Sequence, residues 1–329
     1  MAMRRIDLSA FTSVFADEMR SFLVMKADHG FQMTSYYYQL KIFDQFCIQN
    51  RILSPEFDMK EAHAWSMVDG EEGDRRYCNR LSVARSFLSY LRAKGYDVVI
   101  PDPVSYKQPD FKPHIYTDDE TVRYFSAIDR YYTKRAKLNA IQFPVLFRLF
   151  YCCGTRLNET LCIRVRDLDL RKGTIRLTET KNHRERFIVL SDDLLDLMIA
   201  YADKYFYQLG KDDFIFSSTR GSRYSKDRIY TVHRETLQYA GIPYHGNKQG
   251  PRIHDWRHTF AVRAFKQMID AGMDMYASLP ILSTYLGHKS IYDTEKYLRL
   301  TMLIYPYIEE KCHDHMEAIF GLEEDGDGE

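Results

Sequence analysis

Four short stretches of this 329-residue chain concentrate side chains that can bind anions or move protons. They are Gly154-Thr155-Arg156-Leu157-Asn158-Glu159, a lysine at Lys181, His254-Asp255-Trp256-Arg257-His258-Thr259-Phe260-Ala261, and Leu286-Gly287-His288 with Tyr297 nine residues further on. Taken singly, each has an ordinary reading. An arginine after a Gly-Thr turn commonly caps or faces solvent, a turn lysine is commonly solvated, and Tyr297 is one of 25 tyrosines. His254 and His258, four residues apart, would share one helix face, as zinc ligands do. Against zinc, Asp255 follows the first histidine, no third ligand is evident, and Arg257 between the two repels a cation. Nor is there the carboxylate cluster of a two-metal nuclease.

Read together and in order, these stretches are more specific. Arginine, hairpin lysine, His-x-x-Arg, Leu-Gly-His and then tyrosine is an order that resembles the tyrosine recombinase (phage integrase) family. His254 to Ala261 resembles that family's second box. Leu286-Gly287-His288-Lys289-Ser290-Ile291-Tyr292-Asp293-Thr294-Glu295-Lys296-Tyr297 has its spacing from histidine to nucleophile. The resemblance spans the second domain, and an all-helical first domain matches the family's core-binding module. One departure is the stretch from Met268 to Thr284, a few residues longer than the usual connection.

The resemblance implies a site-specific DNA recombinase that cuts and rejoins strands by transesterification at phosphorus. Negative charge grows on the non-bridging oxygens in the transition state, so planar guanidinium donors are suitable stabilisers. Arg156 and Arg257 match the phosphate-clamping arginines and His288 a third donor. With that charge supplied by arginine, neither metal nor cofactor is implied. Tyr297 matches the nucleophile of a 3′-phosphotyrosyl intermediate, His254 the general base, and Lys181 the general acid for the leaving 5′-oxygen. Arg184 and Arg186 are alternative basic groups on the same hairpin. Glu159 matches an acidic support for the arginine or for His254, with His258 a second support. A type IB topoisomerase shares this chemistry. A DNA-binding regulator with a dead site and a zinc hydrolase are readings from other classes. Residues 302–322 can form a further apolar helix, which in this family commonly docks on a neighbour. The implied partners are therefore a double-stranded recombination site and further copies of the chain, as a tetramer on two duplexes.

The elements that must position these groups are helical with one small sheet. In the first domain, helical periodicity marks Thr34 to Gln49, Met59 to Val68 and Arg75 to Lys94, with Gly95 as a stop. On the last of these, Tyr77, Leu81, Ala84, Leu88 and Leu91 form one apolar stripe. Arg75, Ser82, Arg85, Ser89 and Arg92 lie opposite, a face suited either to a phosphate backbone or simply to water. Four of the ten prolines fall within residues 97–116, where no helix can continue. Thr117-Asp118-Asp119-Glu120 then has the pattern of a capping box. Helices are expected over Glu120–Tyr132 and Phe143–Cys153. Alternation in Gly173–Thr180 and Glu185–Leu190 predicts a β-hairpin with a basic tip, and helices resume from Asp192. The fold expected is mainly α: a helical core-binding domain at 1–96, a proline-rich linker at 97–113, an α-rich catalytic domain with a small antiparallel sheet at 114–322, and an acidic tail at 323–329.

Composition bounds the alternatives. With 45% hydrophobic and 28% charged residues the chain is neither disordered nor a coiled-coil rod. No apolar run reaches the ~20 residues of a membrane span, and residues 1–10 lack the apolar stretch of a signal peptide. Six cysteines without a CxxC pair read as reduced thiols. Together these point to a cytoplasmic protein associated with the nucleoid and not to a membrane. Formal net charge is zero, which argues against a nucleic-acid partner until the charge is located. Residues 1–322 carry 46 basic against 41 acidic residues, and Arg75 to Lys94 holds six basic residues and no acid. Arg75, Arg85, Arg92 and the hairpin's Arg184 are the DNA-binding candidates.

Overall fold

The computed structural model describes residues 6–31, 33–67, 74–104, 113–131, 137–178, 185–246, 250–288, 290–292 and 294–295. The chain divides into two compact units, Met1–Asp110 and Phe111–Glu329.

In the first unit, helices α1 (Ala16–Asp28), α2 (Met33–Gln49), α3 (Met59–Ser66) and α4 (Asp74–Ala93) enclose an aromatic core. Phe15, Phe22, Phe43, Phe57, Trp65 and Phe87 are all buried in it. The start of α3 is fixed by Asp58, whose carboxylate accepts from the Glu61 N–H at 2.8 Å while Glu61 accepts from the Asp58 N–H at 2.7 Å. The α4 stripe packs inward, with Leu81, Ala84, Leu88 and Leu91 buried and Tyr77 half-buried. Arg80, one of the five arginines on α4, is also interior. Its Nη1 donates to the Trp65 carbonyl at 2.9 Å and its guanidinium lies 4.3 Å from the Trp65 ring centre. This arginine therefore adds nothing to a basic surface. Residues 97–100 pack on this unit: Phe57 donates to the Asp97 carbonyl, Val99 donates to the Phe57 carbonyl, and Val98 joins the core.

The second unit begins with the capping box at its first helix, α5 (Asp118–Tyr131). Thr117 Oγ1 accepts from the Glu120 N–H at 3.1 Å, and the Glu120 carboxylate accepts from the Thr117 N–H at 3.0 Å. Next come α6 (Lys137–Cys153), α7 (Leu157–Leu161), strands β1 (Leu168–Asp169), β2 (Thr174–Leu177) and β3 (Arg186–Val189), then α8 (Asp192–Tyr205), α9 (Lys226–Tyr239), α10 (Ile253–Asp270) and α11 (Met275–Leu286). Helix α6 is the spine: Phe143, Leu146, Phe147 and Phe150 are fully buried, and α5, α8 and α10 pack against it. It starts six residues before the apolar run that predicts it, because its first turns are more polar. The sheet is antiparallel in the order β1-β2-β3, with Ile175 opposite Ile188 and Leu177 opposite Arg186. Ile175, Leu177 and Ile188 face the core, while Arg176, Phe187 and Val189 face out. The Met268–Thr284 stretch is mostly helical, being the end of α10, a turn through Gly272, and α11.

Candidate active site

The site is assembled where α6, α7, α10 and α11 end or begin. Helix α6 stops at Gly154, whose φ of +58° suits glycine. A Cβ there would lie 2.4 Å from Phe260 Cδ1, so only a glycine lets the end of α6 come this close to α10. Arg156 follows as the N-cap of α7. Its backbone N–H donates to Glu159 Oε2 at 3.1 Å, its Nη1 to Glu159 Oε1 at 2.7 Å, and its Nη2 to the Gly287 carbonyl at 3.0 Å. Glu159 is buried and shared. Arg186 on β3 donates to both of its oxygens, Nη1 to Oε1 at 3.1 Å and Nη2 to Oε2 at 2.7 Å. Burial by itself would raise this carboxyl, but Arg186 and then Arg156 overcome it and hold it down at about 2.

Helix α10 opens with the same device. The Arg252 N–H donates to Asp255 Oδ2 at 2.9 Å and Arg252 Nη2 donates to Oδ1 at 3.0 Å. Trp256 anchors the helix by stacking on Tyr116, the rings 3.6 Å apart and parallel within 1°. Positions 254, 257 and 258 share one helix face. Arg257 is fully buried, its Nη1 donating to the Gly154 carbonyl and its Nη2 to the Leu286 carbonyl, each at 2.6 Å. The His254 and His258 rings lie 5.0 Å apart, nearly perpendicular.

Helix α11 ends on Gly287 with φ +64°, the glycine-terminated stop of a left-handed cap. His288 follows immediately, and its Nδ1 lies 2.8 Å from the hydroxyl of the buried Thr294. Both arginines thus reach adjacent carbonyls of one turn, Arg257 at Leu286 and Arg156 at Gly287. Three histidines are kept neutral here. Burial, then Arg257 and Arg252, bring His254 to about 3. Burial and the neighbouring His254 bring His258 to about 2, and burial with Arg257 and Arg156 brings His288 to about 3. An open cleft of about 710 Å³ borders His254, with Tyr230, Arg234, Tyr244 and Arg252 among its walls.

The structure therefore brings together Arg156, Glu159, His254, Arg257, His258 and His288. Lys181, Arg184 and Tyr297 lie outside the described residues, as do residues 302–322 and the acidic tail. Arg186, an alternative to Lys181 in the sequence, is already committed: all its described bonds go to Glu159 and, from Nε, to the Tyr285 carbonyl at 3.0 Å. Of the DNA-binding candidates, Arg75 is exposed and Arg85 half-buried. Arg92 is exposed but also donates to the Val98 carbonyl, from Nη2 at 2.6 Å and Nε at 3.2 Å. Among the described residues no three His, Cys, Asp or Glu side chains are grouped as metal ligands, and no helix is long and apolar enough to cross a membrane. Sequence reasoning missed Asp255, Thr294 and the role of Arg186. A signal for the first existed: Arg156-x-x-Glu159, Arg164-x-x-Asp167 and Arg252-x-x-Asp255 all begin helical turns with the acid accepting from the arginine's own N–H.

Residues 117–303 match the family model described as the phage integrase family. The tyrosine recombinase XerC of Thermodesulfovibrio yellowstonii is 26% identical over 244 residues, 71% of this chain and 74% of that one. Two solved structures share the fold at 18% identity. They are the XerH site-specific recombinase bound to its palindromic difH substrate (TM-score 0.61, covering 84% of this chain and 78% of that one) and a lambda integrase tetramer bound to a Holliday junction (TM-score 0.57, 88% and 83%). With more than half of its length matched by the family model and both arginine boxes folded onto one turn, the chain belongs to the phage integrase family, the tyrosine recombinases.

Proposed function

We propose that this protein is a site-specific DNA recombinase that cuts and rejoins strands through a covalent 3′-phosphotyrosyl intermediate. The observation that carries this reading is the convergence of Arg156 and Arg257, from boxes about a hundred residues apart, on the one turn that presents His288. In this reading the two guanidiniums and His288 hold the non-bridging oxygens of the scissile phosphate. Tyr297 Oη attacks phosphorus, its proton passes to His254, and the phosphorus–O5′ bond breaks as Lys181 supplies a proton to the leaving oxygen. A 5′-hydroxyl from the same or another strand reverses the step, so bond energy is conserved and ATP is not consumed. Glu159 and His258 support the clamp from beneath.

Neutral histidines suit this chemistry. A neutral His254 can take the phenol proton, and the negative charge of an arriving phosphate offsets the arginines that depress its basicity. Arg75, Arg85 and Arg92 on α4 and Arg184 on the hairpin would contact the DNA backbone, with residues 1–96 as the core-binding domain, 97–113 as linker and 114–322 as catalytic domain. The tetrameric lambda integrase on a Holliday junction supports assembly of four copies on two duplexes. The test is Tyr297→Phe on a nicked cognate site. Wild type should form covalent protein–DNA adducts and the variant none. Adducts at wild-type yield in the variant refute Tyr297 as nucleophile, and a wild type that binds but never forms adducts is a DNA-binding regulator. Paired duplexes then separate strand exchange from simple relaxation.

A further inference from the structure

Three elements around the clamping arginines meet on one side chain outside the proposed catalytic set. Arg186 stands at the start of β3, five residues after Lys181 in the sequence. From there it donates to both oxygens of buried Glu159 and, from the opposite edge of its guanidinium, to the carbonyl of Tyr285 on α11. Glu159 in turn holds Arg156, and the two residues after Tyr285 supply the carbonyls that hold Arg257 and Arg156. Gly287 leaves room for this: a Cβ there would lie 3.1 Å from Arg186 Nη1.

We propose that Arg186 is a positioning residue that locks the hairpin strand to the Glu159–Arg156 pair and to the end of α11, so that the phosphate clamp and the general-acid hairpin are held in one register. This rests on the recombinase reading above. A planar fork is needed, because the side chain bridges two carboxylate oxygens on one edge and a carbonyl on the other. A lysine carries the charge but lacks that geometry. The charged and titratable groups facing Glu159 are Arg156 from its own helix start, Arg186 from β3 and His254 from α10. Without Arg186, only Arg156 remains to oppose burial, so the Glu159 carboxyl should titrate at a higher pH.

The experiment compares wild type, Arg186→Gln, Arg186→Lys and the double variant Arg186→Gln/Glu159→Gln for binding of an uncut site and for adduct formation at saturating DNA. Small misplacements of a clamp cost about 10- to 100-fold in rate. Arg186→Gln should lose that much in cleavage with binding within about twofold of wild type, and Arg186→Lys should recover part of the rate. The acid limb that protonation of His254 imposes on the pH–rate profile should move to higher pH in Arg186→Gln and return towards the wild-type position in the double variant, which has no carboxyl left at position 159 to titrate. Wild-type cleavage by Arg186→Gln overturns the proposal. So does a loss of cleavage matched by an equal loss of binding with the pH profile unmoved. If Arg186→Gln does not fold, Arg186→Lys decides: cleavage equal to wild type overturns the proposal, and reduced cleavage with retained binding supports it. A wild type that forms no adducts overturns both this proposal and the reading beneath it, whereas wild-type adducts with unaffected variants overturn this proposal alone.

Discussion

His233 on α9 provides a direct measure of what burial does to histidine in the second unit. Its ring is buried and fully bonded in the neutral form, with Nδ1 2.8 Å from the Tyr124 hydroxyl and Nε2 3.2 Å from the Pro251 carbonyl. Burial brings it from an ordinary 6.5 to about 3. A depressed histidine binds fewer protons folded than unfolded, so its cost is absent above pH 6.5 and grows as the pH falls towards 3. Between pH 7 and pH 5 the linkage is worth about 2 kcal/mol, and it changes little if the folded value is a unit higher, because the ring is still neutral at pH 5. His233→Gln keeps a donor and an acceptor and cannot titrate. The assay is denaturant unfolding at both pH values in a Trp65→Phe background. Of the two tryptophans only Trp256 then remains, stacked on Tyr116 within the second unit. His233→Gln should lose about 2 kcal/mol less than its parent over that interval, since every other titrating group cancels in the difference. Equal losses would refute the claim that His233 is held neutral by burial.

Gly154→Ala places a side chain in the left-handed region and against the Phe260 ring. It should cost about 2–4 kcal/mol from backbone strain and overpacking together, measured by chemical denaturation. It should also cut adduct formation more than DNA binding, because the Gly154 carbonyl holds Arg257. Replacing Arg75 and Arg85 with alanine should weaken DNA binding across sequences alike and flatten the dependence of log affinity on log salt by about 0.9 for each phosphate left unneutralised. An unchanged salt slope would remove α4 from the DNA interface.

What could be read in the residues alone was whatever depends on short-range pattern. The α4 stripe, the Thr117–Glu120 box and the β2–β3 hairpin are local, because helical and strand periodicity and capping are set by neighbours in sequence. The ordered boxes around Arg156, Arg257 and His288 were legible for the same reason, each being a short motif. Local pattern did not separate Arg80 from the surface arginines of α4. Its burial is set by Trp65 on α3, and no spacing within α4 reports that. Nor did it place Arg186, which in the sequence is one basic residue of a basic hairpin and in the fold is the partner of Glu159, 27 positions away. The short helix α7 and strand β1 exist because the Arg156–Glu159 cap and the β2 edge complete them, and five or two residues carry no periodicity of their own. The identity of the chemical groups was thus written along the chain. Their neutral histidines, their shared carboxylate and their meeting on the Leu286–His288 turn were decided by tertiary structure, because burial and charge pairing act between residues that only the fold brings together.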